Sequence, residues 1–212
     1  MTNRKGYYDI EIDMDAFLLE SGLVQDLFYL QDLKQRKLFL NQDVSQISVA
    51  ELARVIMQFN AEDKGIAVED RMPIKLYIAS NGGDVDSGFE LIDIIEASKT
   101  PVYTINLGNQ YSMGFLIGLC GHKRFAFKNS KYLMHDGSSM VWNSGAKAQD
   151  QMEFNRRVEE RIKQYVLAKT NIDEDEYNSK LRVEWYMFAD EAKEKGVTDY
   201  IIGVDCDIDA II

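Results

Sequence analysis

From Lys37 onward the apolar positions switch between two periods, close to two in short runs and close to 3.6 in longer ones. Lys37-Leu-Phe-Leu40 reads as a short strand. Ser48-Val-Ala-Glu51 has the form of a capping box, and the helix it predicts runs to about Phe59 with Leu52, Val55, Ile56 and Phe59 on one face. A polar loop over 61–71 leads to a strand over 74–79, then to the turn Ser80-Asn-Gly-Gly83. The next predicted helix, about 86–97, buries Phe89, Ile92 and Ile95. Residues 101–107 read as a strand and the apolar run 112–120 as a helix. Two short strands, 124–127 and 132–135, flank the turn Lys128-Asn-Ser130.

The second half is dominated by a long amphipathic helix over 147–169, with Met152, Val158, Ile162, Tyr165 and Val166 recurring near helical spacing. Helices over 173–181 and 189–195 follow, the latter stopped by Gly196, and then a last strand over 197–201. Strands alternating with helices predict an α/β fold with a mostly parallel sheet. Residues 1–35 are acidic, rich in Tyr and Phe, and weakly periodic. They are expected to form a semi-independent N-terminal segment ahead of one domain over 36–212.

The 212 residues suffice for a substantial core, and the formal charge of −11 argues against a phosphate-backbone partner, so no nucleic acid is expected. No run approaches the roughly 18 apolar residues that span a bilayer. The N-terminus has no apolar stretch behind its two basic residues. The expectation is a cytoplasmic protein without a membrane partner. Cys120 and Cys206 match no disulfide or metal pattern and read as free thiols, Cys120 buried. With only His122 and His135 present, any histidine chemistry must use one of them.

Three segments carry candidate chemistry. The glycines of Ser80-Asn-Gly-Gly83, between a strand and a helix, let the backbone turn its N–H groups toward one point, though strand-to-helix turns use glycine in any case. Ser112, in Gly108-Asn-Gln-Tyr-Ser-Met-Gly114, falls at a helix N-terminus, where the dipole favours developing negative charge. Serine there is also an ordinary cap. His135 ends a strand, placed to reach a neighbouring helix N-terminus or simply to bond backbone carbonyls. His122 lies in a basic surface turn, about 15 Å along the helix from Ser112, and is expected to be inert.

Together these segments resemble the Clp peptidase (ClpP) family over about residues 33–202. The strand and Ser-Pro-Gly-Gly of that family are similar to Ile74-Lys-Leu-Tyr-Ile-Ala-Ser-Asn-Gly-Gly83. Its Ala-Ser-Met-Gly is similar to Tyr111-Ser-Met-Gly114. Its Lys-Arg-Phe, Asn-Ser and Met-Ile-His segments are similar to Lys123-Arg-Phe125, Asn129-Ser130 and Leu133-Met-His135. Its C-terminal Ser-Ala-x-Glu-Ala-x-x-x-Gly-x-x-Asp is similar to Phe188-Ala-Asp-Glu-Ala-Lys-Glu-Lys-Gly-Val-Thr-Asp199.

The resemblance implies repeated β-β-α units of the ClpP/crotonase-like kind, with a long protruding handle helix at 147–169. It implies Ser112 as nucleophile, His135 as base, and the backbone N–H groups of Gly83 and Met113 as an oxyanion hole. Gly137 and Ser138 would begin a strand that aligns the peptide substrate. The implied activity is that of an unfoldase-assisted serine endopeptidase acting on unfolded polypeptides. Its implied partners are further copies of the chain, in two stacked seven-membered rings, and a AAA+ Clp-type unfoldase. No cofactor is implied, ATP being used only by that unfoldase.

Three positions depart from the pattern, as in a divergent member of the family, with a phage or prophage origin left open. Glu184 stands where the family has the triad aspartate; it is taken as the acid, with a water, a backbone carbonyl or another carboxylate as alternatives. Asp136 is disfavoured because consecutive strand side chains point to opposite faces. Asn81 replaces a proline, and Tyr111 replaces an alanine and is expected to pack, with narrowing of the substrate groove or control of access as alternatives. Two other functions stay open: a non-catalytic ring subunit, and a crotonase-like acyl-CoA enzyme that uses the glycine-rich turns without a serine nucleophile.

Overall fold

The structure, a computed structural model, describes residues 24–137, 144–180 and 182–212. Five strands form a parallel sheet in the order β1-β2-β3-β4-β7: β1 (Lys37–Leu40), β2 (Ile74–Ser80), β3 (Val102–Tyr111), β4 (Lys123–Phe127) and β7 (Tyr200–Ile202). Strand β5 (Lys131–Met134) runs parallel to the end of β3, and β6 (Trp185–Phe188) pairs antiparallel with β5. The mostly parallel α/β architecture expected from the alternation is the one observed.

Side-chain alternation sorts β2 into two faces. Ile74, Leu76 and Ile78 point into the main core, where they meet helix α2 (Gln46–Glu62), helix α3 (Val85–Ala97) and helix α4 (Met113–Leu119). Each such fully buried aliphatic side chain contributes about 1.5–3 kcal/mol. The opposite face carries a smaller cluster of Tyr77, Ile105, Phe125 and Ile202, closed by Ile211 from the C-terminal segment. Tyr77 donates to the Ile211 carbonyl there, and the Lys75 ammonium donates to that of Ile212.

Helix α2 starts a turn earlier than expected. Ser45, not Ser48, is its N-cap: the Ser48 N–H donates to Ser45 Oγ at 3.2 Å, and the Ser45 N–H to Ser48 Oγ at 2.9 Å. The box thus closes between two serines rather than a serine and Glu51. The expected face of Leu52, Val55, Ile56 and Phe59 is buried. Helix α1 (Val24–Lys34) sets Leu33 in the main core, whereas residues 1–23 lie outside the described residues.

Strand β3 is longer than the sequence suggests, and the extra length positions the site. Its first part pairs with β4 through Asn106, and its last part pairs with β5 from Asn109 to Tyr111. Gly108-Asn-Gln reads as loop by composition, yet Gln110 is buried in the strand. Strand β6 was not expected at all: it is four residues long at the sheet edge, and only Met187 is buried.

Helix α5 (Gly145–Lys169) has 25 residues, roughly 37 Å of helix. The expected stripe is buried only toward its C-terminal end, where Val166 enters the core and Ile162, Tyr165 and Leu167 pack against it; Met152 and Phe154 are exposed. Helices α6 (Glu174–Lys180) and α7 (Ala189–Glu194) complete the chain.

Candidate active site

Parallel sheets gather functional groups at the carboxyl ends of their strands. Here Gly82 and Gly83 follow β2, Ser112 follows β3 and His135 follows β5, and these three strands are neighbours.

Ser112 makes the sharp turn from β3 into α4 with φ 53° and ψ −120°, one of two non-glycine residues among those described with positive φ. Such a conformation persists only where the surroundings over-determine it. They do so here: the Ser112 N–H donates to Leu133 O at 2.9 Å, and its carbonyl accepts from Phe115 and Leu116 at 3.0 and 3.3 Å. Its side chain makes no capping bond. The ordinary role of an N-cap serine is therefore absent, and the hydroxyl is left over for other work.

His135 lies just past β5, two residues after the carbonyl that holds the Ser112 amide. Its Nε2 is buried and has no hydrogen-bond partner among the described residues. Ser112, Met113, His135 and Gly137 line one cavity of about 450 Å³, which extends to Arg156 and Lys163 on α5. Lys163 is held at 2.6 Å by Glu174. Asp136 also lines this cavity. His122 is exposed, and its Nδ1 accepts from the Val102 N–H at 3.0 Å, away from the site.

The glycine turn presses directly on the serine. A Cβ on Gly82, whose φ is +98°, would stand 2.7 Å from Ser112 Cβ and Tyr111 O and 2.8 Å from Met113 N. Only glycine fits. Gly83, at φ +144°, lies as close to Val44, where a Cβ would come 2.2 Å from the Val44 carbonyl oxygen. Val44 bonds to the Gly82 carbonyl and the Asp84 N–H, at 2.7 and 2.8 Å. Backbone groups alternate sides along an extended chain, so the N–H of Gly83 faces away from Val44. Met113 N–H, at the first position of α4, belongs to the set that a helix leaves without an internal partner.

Two further bonds brace the turn. Ser80 Oγ donates to Gln42 O at 2.7 Å, and Asn109 donates to Asn81 Oδ1 at 3.0 Å. Asn81 thus ties the loop to β3 through its side chain. Asp84 caps α3, accepting from Ser87 N–H and Oγ at 2.8 and 2.5 Å, which holds its carboxyl below the usual range.

Glu184 is placed differently. It is exposed, outside the cavity wall, and its Oε2 accepts from Tyr186 Oη at 3.0 Å. Ser138 lies outside the described residues. Gly82 belongs to the glycine turn that the sequence marks, whereas Tyr186 was not singled out, and nothing local distinguishes it from other aromatic residues near the C-terminus. Tyr111, expected to pack, is half-buried with its ring edge-on to that of Tyr186, centroids 5.9 Å apart.

A family model described as Clp protease matches residues 22–205. Similar proteins include ATP-dependent Clp protease proteolytic subunit 2 of Treponema pallidum (strain Nichols), 27% identical over 191 residues, which span 89% of this chain and 92% of that protein. Proteolytic subunit 1 of Streptomyces avermitilis is 30% identical over 178 residues, 81% of this chain and 77% of that one.

Proposed function

This chain belongs to the Clp protease family, and from that we propose that it is a serine endopeptidase using Ser112 as nucleophile, His135 as general base and Glu184 as the acid of the triad. The supporting observation is the meeting of Ser112 and His135 on one cavity wall, each with a functional atom that the fold leaves uncommitted.

In the proposed reaction His135 Nε2 takes the proton of Ser112 Oγ as the oxygen attacks the scissile carbonyl carbon. Charge moves onto the carbonyl oxygen, which receives hydrogen bonds from the N–H groups of Gly83 and Met113. Each such donor is worth about 3 kcal/mol in the transition state. The tetrahedral species collapses, the C–N bond breaks and His135 returns its proton to the leaving amine. A water then repeats the sequence in reverse on the acyl-serine, with His135 again the base. No cofactor enters these steps. Gly137 and Ser138 would hold the substrate backbone by strand addition.

The two relatives are named as proteolytic subunits of ATP-dependent Clp proteases. By extension we place this chain in a self-assembled chamber of two stacked seven-membered rings, fed with unfolded polypeptide by a AAA+ Clp-type ATPase. Among the described residues no helix is long and apolar enough to cross a membrane.

The test is labelling of the assembled protein with a fluorophosphonate probe. An adduct mapped to Ser112, and strongly reduced by His135→Ala, is the expected result. The exposed position of Glu184 favours one other reading, a non-catalytic ring subunit. Assembled particles that take up no probe would establish that reading and remove ours.

The glycine turn gives a second expectation. Gly82→Ala forces a Cβ against Ser112 Cβ and the backbone of Tyr111 and Met113, and displacing a catalytic group by about 1 Å costs on the order of 100-fold. Peptide hydrolysis should fall by that factor, whereas alanine at Gly108, where a Cβ meets nothing within 4 Å, should leave it within twofold. Equal rates for the two variants would separate this turn from the chemistry.

A further inference from the structure

Glu184 occupies a position where the proposed peptidase needs a short, fixed acid, yet glutamate has one more rotatable bond than aspartate. Holding a free glutamate in one rotamer carries an entropic cost. An exposed glutamate, unsupported, orients its neighbour poorly.

The β5–β6 register identifies that neighbour. The antiparallel pairs run Lys131↔Phe188, Tyr132↔Met187, Leu133↔Tyr186 and Met134↔Trp185. Glu184 and His135 flank the last pair, Met134↔Trp185, and one further step of the same register would set them opposite each other. Opposed residues on an antiparallel pair share a face of the sheet, so Tyr186 and Leu133 belong to one side, and that step would add Glu184 and His135 to it. Tyr111 joins the same row, because β3 and β5 pair Tyr111 with Leu133.

Within that row the structure supplies an anchor. Tyr186 Oη donates to Glu184 Oε2 at 3.0 Å. The bond to the carboxylate pushes the tyrosine hydroxyl up from its ordinary value. The Tyr186 ring is set by Tyr111, with an interplanar angle of 88°. One carboxylate carries about four lone-pair sites, so a single phenol bond leaves Oε1 open to accept from an imidazole N–H.

We propose that Tyr186, braced by Tyr111, is a positioning residue that fixes the carboxylate of Glu184 for the imidazole of His135. This rests on the serine peptidase reading. The Tyr111–Tyr186–Glu184 row replaces the rigidity that a shorter acid has by itself, and it gives Tyr111, immediately before the nucleophile, a task on the other side of the strand end.

The experiment is a mutant cycle on the assembled protein, with peptide hydrolysis and fluorophosphonate labelling measured. Tyr186→Phe retains the ring and its contact with Tyr111 but removes the donor. It should lower kcat about 10- to 100-fold, the worth of a hydrogen bond to a charged group, with KM within twofold. A lowered kcat with an unchanged KM is the readout that a merely structural loss would not give. In a Glu184→Gln background the same substitution should have no further effect. In a Glu184→Asp background, where the acid needs less anchoring, the loss should be smaller.

A Tyr186→Phe variant as active as the parent, or an effect that adds fully to that of Glu184→Gln, would overturn the inference. So would a rate increase, which would show that Tyr186 withholds the acid rather than positioning it. In each of these cases the parent labels at Ser112 and the peptidase reading stands. If the parent itself does not label, the peptidase reading and this one fail together.

Discussion

Ser112→Ala is expected to lower kcat for peptide cleavage on the order of 10⁶-fold, with no loss of assembly and no fluorophosphonate adduct. The size follows from the role: without the oxygen no acyl-enzyme forms, and only binding and the backbone donors remain. The variant is also unusually clean. Ser112 Oγ makes no capping bond, so its removal takes nothing from helix α4. The backbone at φ 53° is equally unfavourable for serine and alanine. Thermal stability should therefore change by no more than about 0.5 kcal/mol. Retention of more than about 1% of parental activity in a preparation free of contaminating peptidase would show that another group is the nucleophile.

The same local facts show what the sequence carried. Ser112 and His135, the proposed nucleophile and base, were legible because each sits where a strand ends. A strand end is marked by the change from alternating apolar residues to glycine or a polar turn: Leu107-Gly108 for β3 and His135-Asp-Gly137 for β5. The predicted end of β3 was four residues early, since Gly108-Asn-Gln is polar while its pairing partner, Lys131-Tyr-Leu133, is remote in sequence. Long-range pairing of this kind overrides composition. The choice of Ser48 over Ser45 as helix cap failed for a related reason. Both serines satisfy the local pattern, and the Ser48 hydroxyl also reaches the carbonyls of Asp43 and Ser45.

Glu184 shows a different limit. Its correspondence with the family's triad aspartate gives an order along the chain but no orientation. That its carboxylate meets Tyr186 depends on side-chain torsions and on the ring of Tyr111, some 70 residues away in sequence. Strand β6 was missed because its residues face mostly outward and only Met187 carries a core signature.

The largest stability effect is expected away from the site, at Asp63. Its carboxylate is 4% exposed and binds both terminal nitrogens of Arg36, at 2.6 and 2.7 Å, while Thr100 Oγ1 donates to it at 2.7 Å. Asp63 ends α2, Arg36 leads into β1 and Thr100 precedes β3, so one buried ion pair ties three connections together. Asp63→Asn leaves a guanidinium, itself only 13% exposed, without its counter-charge. Breaking one side of such a pair costs about 3–5 kcal/mol, a fall in Tm of roughly 6–20 °C at this chain length.

The dependence on pH has a definite sign. Burial alone would raise the Asp63 pKa, but the hydrogen bonds from Arg36 and Thr100 and the charges of Arg36 and Arg71 outweigh it, and the folded value is lowered. A depressed carboxylate contributes stability above the unfolded value of about 3.9 and loses it as pH falls through the folded value. The gap between parent and Asp63→Asn melting curves should thus be full at pH 6–7 and should close as the pH falls below about 4. Replacing both partners, Arg36→Met with Asp63→Leu, should recover at least half of the loss, since it removes the stranded charge along with its partner. A gap that stayed constant down to pH 3 would mean that the carboxylate charge is not what the fold uses at this position.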